Sequence, residues 1–99
     1  KEGSVVAGGN GKGGNVTQLS YPKGVWVDGC GHVYVAEWGN DRVMRWEKGA
    51  TQGTVVVGGH GGGDEANQLH CPEGLFFDRH SHLYVVDYGN GRVQRFSLL

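Results

Sequence analysis

The chain carries the same pattern twice, at a fixed distance of 50 residues. The segment VYVAEWGNDRVMRW at residues 33–46 returns as LYVVDYGNGRVQRF at residues 83–96. The offset also holds upstream of these segments, and no insertion is needed anywhere. A period of about 40–50 residues indicates stacked supersecondary units, each of which needs a neighbour to bury its apolar face. The fold must therefore consist of two equivalent units.

Each unit is predicted to contain four short strands, a to d. β-branched and aromatic residues dominate these segments, and glycine-rich turns separate them, as is typical of strands joined by tight turns. Strands a and b are apolar on both faces, which predicts that both faces of each sheet are covered. In the first unit the strands are expected at residues 24–28, 33–38, 42–46 and 54–57. In the second unit strands a to c are expected at 74–78, 83–88 and 92–96, and the copy of strand d lies upstream at Ser4–Ala7.

The motif residues of both units resemble the NHL repeat. That pattern is Pro-x-Gly, an apolar strand ending in Asp, a Gly turn, Tyr-Val-Ala-Asp, and Gly-Asn-x-Arg followed by Val or Ile. The departures are Glu37, where the family prefers Asp, and Ser81, where it prefers a turn Gly. The resemblance implies an all-β fold, a β-propeller of four-stranded blades, usually about six in a ring. The matching residues are Pro22, Gly24, Asp28, Tyr34, Gly39, Asn40, Arg42 and Val43, and in the second copy Pro72, Gly74, Asp78, Tyr84, Asp87, Gly89, Asn90, Arg92 and Val93.

The resemblance divides the chain into two blades of 50 residues. Residues 1–20 are expected to hold strand d of a preceding blade and a Gly-rich linker, and residues 21–58 the first blade. A second linker at 59–70 then leads to the second blade at 71–99, which lacks a strand d. Two blades cannot close a ring, because propellers need about 4–8.

Other copies of the chain, or a longer chain of which this sequence is a segment, must complete such a ring. Both possibilities stay open at the level of sequence. Copies would meet head to tail, with Ser4–Ala7 of one completing the last blade of another. A six-bladed ring then needs three copies, and a rotation that does not close gives a filament.

Charge and composition argue against two classes of partner. The chain has 9 basic and 10 acidic residues and a net charge of −1. This balance provides no electrostatic attraction to nucleic acid or to anionic membranes. No apolar run approaches the ~20 residues of a membrane span. The expected partner is therefore the chain itself or the rest of a longer propeller, with no nucleic acid and no membrane.

One modification signal is present. Asn15-Val16-Thr17 is an acceptor sequence for N-linked glycosylation, and it lies in a Gly-rich linker that is expected to be exposed. Asn67 is the counterpart of Thr17, so the second copy lacks the signal. An N-linked glycan at Asn15 is thus predicted for a secreted, extracellular protein.

The charged residues of the repeat are interpreted as structural. A carboxylate at the end of strand a can accept hydrogen bonds from turn amides. An acid and an arginine flank each b–c turn, which predicts one stabilising ion pair per blade rather than a catalytic pair, because repeated motifs are usually structural. The predicted turn residues are Asp28, Glu37, Asn40 and Arg42, and in the second blade Asp78, Asp87, Asn90 and Arg92.

No catalytic residue, cofactor or metal is predicted. The a–b turns carry Cys30 and His32 in one copy and His80 and His82 in the other, residue types that suit zinc. Side chains in such tight turns need not converge, so these four are not expected to bind metal. A disulfide between Cys30 and Cys71 is not expected either, because the repeat places them on opposite faces of the ring.

The predicted function is a non-enzymatic extracellular NHL module that acts as a scaffold, a self-assembly unit or a binding surface. Two alternatives remain from resemblance to other propellers. One is a lyase or lactonase-like enzyme with a metal in the central channel. The other is an RNA- or protein-binding NHL domain.

Overall fold

The computed structural model describes residues 1–98, and it is all-β with two antiparallel sheets, one for each repeat. The predicted all-β class is confirmed, and each observed strand begins and ends within two residues of its expected position. Leu99, the last residue of the predicted second blade, lies outside the described residues. The first sheet contains β1 (Pro22–Val27), β2 (Val33–Glu37), β3 (Arg42–Trp46) and β4 (Thr54–Gly58); the second contains β5 (Pro72–Phe77), β6 (His82–Asp87) and β7 (Arg92–Ser97), with a short 3-10 turn at Tyr88–Asn90.

The two sheets share one register. Trp26 lies opposite Tyr34 in the first, and Phe76 lies opposite Tyr84 in the second. Each first strand begins with a proline and has an irregular register before the glycine two residues later. Proline cannot donate to a ladder, so it is tolerated at the first residue of a strand. Equivalent residues of the two repeats therefore have equivalent partners on the neighbouring strand.

A buried apolar core joins the two sheets. Gly24 permits the close approach of β1 and β5, since a Cβ there would lie 2.5 Å from the carbonyl oxygen of Glu73. Beside this contact, the rings of Trp26 and Phe76 meet edge to face with centroids 5.3 Å apart. The fully buried members of the core are Ala36 and Val43 of the first sheet, Leu83 and Val85 of the second, and Leu69 of the linker between them.

The linkers contribute one leucine to each face of the first sheet. Leu69 is fully buried between the sheets. Its repeat counterpart, Leu19, packs on the other face of the first sheet, against the cluster that includes Val33 and Val35. Alternate residues of a strand point to opposite faces, so the first sheet has apolar residues on both sides. Only one of those sides is covered by a second sheet.

Ser4–Ala7 forms no strand within residues 1–98, which differs from the expected strand d. The reason is the absence of a partner: Ala7 packs on the first sheet, on the face away from the second, and cannot reach the edge of β7. Burial of the aromatic residues in the predicted strands is expected, because their large apolar area must supply much of the stability, but Phe76 and Tyr88 are exposed. Phe76 lies on the outer face of the second sheet, which no further sheet covers.

Two further observations complete the description. Cys30 and Cys71 are both free thiols, as expected from their positions in the repeat. Among residues 1–98, no helix has the length and apolar character that a membrane-spanning helix needs.

Candidate functional site

The same repeat positions are buried at the contact between the sheets and exposed at the end of the molecule. Val43 is 0 % exposed and its counterpart Val93 is 64 % exposed. Ala36 is likewise 0 % exposed, whereas its counterpart Val86 is 42 % exposed. We call the surface formed by Phe76, Val86 and Val93 the C-terminal open face. Its residues correspond to those with which the first sheet contacts the second.

The opposite end of the molecule has a complementary surface, the N-terminal open face, formed by Val25 and Val27 beside the buried Val33 and Val35, on which Ala7 and Leu19 pack. Val25 and Val27 are exposed, although Leu75, the counterpart of Val25, packs into the core between the sheets. An apolar groove of about 310 Å³ lies on this face and is lined by Val25, Val33, Val35, Leu19 and Ala7 among others. The two open faces therefore correspond to the two halves of the contact that already exists inside the chain.

The edge of the second sheet is also open. In the first sheet, β4 pairs with β3 through Val43 and Val57. In the part of the chain that the structure describes, no strand pairs with the outer edge of β7. An unpaired edge presents free N–H and C=O groups to another chain.

The repeated turn residues form a buried network in the first repeat. Glu37 Oε1 accepts hydrogen bonds from the Ser20 N–H at 3.0 Å and from Asn40 Nδ2 at 2.6 Å, and Glu37 Oε2 accepts from Arg42 Nε. The Glu37 side chain is 0 % exposed and that of Arg42 is 7 % exposed. A charge so deeply buried needs a partner, and Arg42 supplies it.

Arg42 also fixes the linker in front of its blade. Its guanidinium donates to the carbonyl oxygens of Gly14 at 2.9 Å, Asn15 at 3.2 Å and Gln18 at 3.1 Å. The planar fork of arginine can bind several carbonyl oxygens and a carboxylate at once, which lysine cannot do. The motif thus orders a Gly-rich segment that has little side-chain packing of its own.

The second repeat has the same network with an aspartate in place of the glutamate. Asp87 Oδ1 accepts from the His70 N–H at 2.7 Å, and Asp87 Oδ2 accepts from Asn90 Nδ2 at 3.0 Å and from Arg92 Nε at 2.8 Å. Burial by itself raises the pKa of Asp87. The hydrogen bonds from Asn90, His70 and Arg92 outweigh burial, so this pKa lies below its usual value. The guanidinium again donates to linker carbonyls, here those of Asp64, Glu65 and Gln68.

The aspartates at the a–b turns accept hydrogen bonds from backbone N–H groups of the same turns. Asp28 Oδ1 accepts from the N–H groups of Cys30 at 3.0 Å and His32 at 2.9 Å. Asp78 Oδ1 accepts from the corresponding N–H groups of His80 at 2.8 Å and His82 at 3.0 Å. This is the arrangement that allows a carboxylate to close a tight turn.

The side chains at these turns do not gather into a ligand group among the described residues. His32 Nδ1 accepts the N–H of Lys48 at 3.1 Å, and the rings of His80 and His82 are 6.4 Å apart. The Asp78 carboxylate also binds His82 Nδ1 at 3.1 Å and the Tyr84 hydroxyl at 3.0 Å.

A different cluster lies where the two repeats meet. Asp41, His70 and Cys71 each place one possible ligand atom within 4.8 Å of the other two. Sequence analysis did not identify this cluster, because its residues lie at positions where the two repeats differ. Burial, and then the carboxylates of Asp41, Asp87 and Glu73, raise the pKa of the Cys71 thiol.

Asn15 is exposed on the first linker. Its backbone is held from both sides, since its N–H donates to Gln18 Oε1 at 3.3 Å and its carbonyl oxygen accepts from Arg42. Glycosylation at this position would leave those backbone contacts in place.

A scan against protein-family models and a search of curated proteins found no match to this chain. The resemblance to NHL repeats therefore depends on the motif residues that the two copies share.

Proposed function

We propose that the chain is a non-enzymatic, extracellular building block of an NHL-type β-propeller, which assembles with further blades and acts as a scaffold or binding surface. The observation that carries the proposal is the pair of complementary open faces. Residues that are buried inside the chain, such as Val43, have exposed counterparts at its end, such as Val93. Another copy is the simplest source of the missing blades, because it offers the matching face.

The position of the N-terminal segment supports exchange of a strand between copies. Ala7 packs on the cluster that contains Val33 and Val35, and its counterpart Val57 packs on the cluster that contains Leu83 and Val85. This correspondence supports the proposal that Ser4–Ala7 supplies strand d of a preceding blade. In an assembly it would pair with β7 of the neighbouring copy, and three copies would make a six-bladed ring.

A scaffold role is favoured over catalysis by the residues of the first strand in each sheet. The alternative enzyme would place acid–base groups and metal ligands at a central channel. The corresponding positions are Val25, Trp26 and Val27 in β1, and Leu75, Phe76 and Phe77 in β5. Such side chains cannot transfer protons.

Native mass spectrometry of the full chain at micromolar concentration tests the proposal. We expect an oligomer, with three copies if a six-bladed ring closes. Deletion of residues 1–7, or the substitution Val93→Asp on the C-terminal open face, should give smaller species. Val16→Asp is the matched control, because Val16 is exposed on a linker outside both open faces. A full chain that is monomeric and cooperatively folded would contradict the proposal.

A further inference from the structure

The cluster between the blades combines ligands from two parts of the fold. Asp41 lies in the turn between β2 and β3, and His70 and Cys71 lie directly before β5. Their possible ligand atoms lie within 4.8 Å of one another. A ligand that bound all three would therefore connect the first blade to the second.

Backbone hydrogen bonds hold the three residues in place. The Cys71 N–H donates to Asp41 Oδ1 at 2.8 Å, which leaves Asp41 Oδ2 directed toward His70. The His70 N–H donates to Asp87, and the His70 carbonyl oxygen accepts from the Gly89 N–H at 2.7 Å. The positions of the main chain are thus set by contacts that do not use the thiol or the imidazole.

Gly62 provides the space in which the ligands meet. A Cβ at this position would lie 2.9 Å from Asp41 Oδ2 and 3.0 Å from His70 Nδ1. The backbone of Gly62 does not adopt a positive φ, so its conformation does not require glycine. A side chain at this position would push the carboxylate and the imidazole aside, so glycine leaves room for both.

The corresponding site in the first repeat has a different chemistry. Gly62 corresponds to Lys12 and Cys71 to Tyr21, and the Lys12 ammonium lies 3.8 Å from the centroid of the Tyr21 ring. His70 corresponds to Ser20 at this site, whereas the counterpart of Asp41 is Gly91, in the turn before β7 at the other end of the molecule. The first repeat therefore has a positive charge of its own, the Lys12 ammonium, at the position equivalent to Gly62. The second has Gly62 in place of that cation, and it has His70 and Cys71 in place of Ser20 and Tyr21.

We propose that Asp41, His70 and Cys71 bind a zinc-class divalent cation that clamps the two blades together. Thiolate, imidazole and carboxylate are the ligands that Zn²⁺ takes in proteins, and three of them leave a fourth tetrahedral position for water. With Zn–S bonds of about 2.3 Å and Zn–N bonds of about 2.0 Å, ligand atoms in a tetrahedron lie roughly 3.5 Å apart. Small side-chain movements reach that separation from the present one. The Cys71 thiol releases its proton to solvent as the metal–sulfur bond forms, and no electron is transferred.

Co²⁺ titration of the reduced, chelator-treated full chain tests this site. We expect one Co²⁺ per chain, a thiolate-to-cobalt charge-transfer band in the near ultraviolet, and displacement by Zn²⁺. Cys71→Ser should abolish the band. His70→Ser and Asp41→Gly introduce the residues of the other repeat, and each should weaken binding by more than about 100-fold. Loss of a residue that only hydrogen-bonds to a metal ligand already lowers metal affinity by ~10–100-fold.

The chain offers matched controls. Cys30→Ser and His80→Ser alter the same residue types at an exposed turn, and they should leave the band and the affinity unchanged. Circular dichroism verifies that each variant is folded. A full chain without the band overturns the proposal. So does a band that survives Cys71→Ser or disappears in Cys30→Ser, or an affinity that His70→Ser and Asp41→Gly leave unchanged. None of these measurements depends on whether the chain assembles.

Discussion

The substitution Arg42→Ala should be far more damaging than the same change at Arg92. Arg42 is the charge partner of Glu37, whose side chain is 0 % exposed, and Arg42 itself is only 7 % exposed. Removal of one member of a buried ion pair leaves an uncompensated charge and costs about 3–5 kcal/mol. Loss of its hydrogen bonds to the linker adds little, because those carbonyl groups can bind water instead.

The Asp87 carboxylate is as buried as that of Glu37, but the Arg92 side chain is 31 % exposed, so its removal opens a path by which water reaches the charge left behind. Loss of its charge-assisted hydrogen bond to Asp87 should cost about 1–3 kcal/mol. The expected difference between the two variants is thus roughly 2 kcal/mol. Because a small domain has only about 5–15 kcal/mol of stability in total, Arg42→Ala alone should approach the limit of folding.

Urea denaturation of both variants at one fixed protein concentration measures the two losses, since assembly makes stability depend on concentration. Glu37→Gln should recover part of the loss in the Arg42→Ala background, because it removes the uncompensated charge. The reasoning fails if Arg42→Ala costs less than Arg92→Ala, or if Glu37→Gln makes the Arg42→Ala variant still less stable.

Three further predictions follow from single residues. The pKa of Asp87 is lower in the folded chain than in the unfolded chain. Its contribution to stability is therefore present above the unfolded pKa of about 3.9 and is lost as the pH falls through the folded pKa. The substitution Asp87→Asn should flatten that part of a curve of stability against pH. Ser81 has a positive φ of 65°, which glycine adopts more readily than serine, so Ser81→Gly should stabilise the chain by about 0.5–1 kcal/mol. The matched change Gly31→Ser, at the equivalent position of the first repeat, should destabilise it by about 1 kcal/mol. Thermal unfolding measures both effects. Asn15 should carry a glycan in material secreted from a eukaryotic cell, and peptide mapping that finds it bare would contradict both the modification and the extracellular assignment.

The sequence alone determined the local structure of this protein. Its 50-residue repeat and glycine-separated apolar runs predicted the positions of strands β1 to β7 to within two residues. It also predicted the opposition of acid and arginine at each b–c turn, because Glu37 and Arg42 are five residues apart and face each other across one hairpin. Interactions at such short separation depend on strand geometry, which the residue pattern itself specifies.

Only the tertiary structure decided how distant segments meet. It placed the Arg42 guanidinium on carbonyl groups 24–28 residues upstream, and it brought Asp41 beside His70 and Cys71. It also revealed that Ser4–Ala7 forms no strand within the described chain, although its copy Thr54–Val57 does. The physical reason is that a strand forms only where it can pair with the edge of another strand. Likewise, side chains from two sheets meet in a cluster only if the sheets pack at one fixed angle. A repeat in the sequence states that equivalent units exist, but the packing between the units decides which of their equivalent positions are buried, paired or left open.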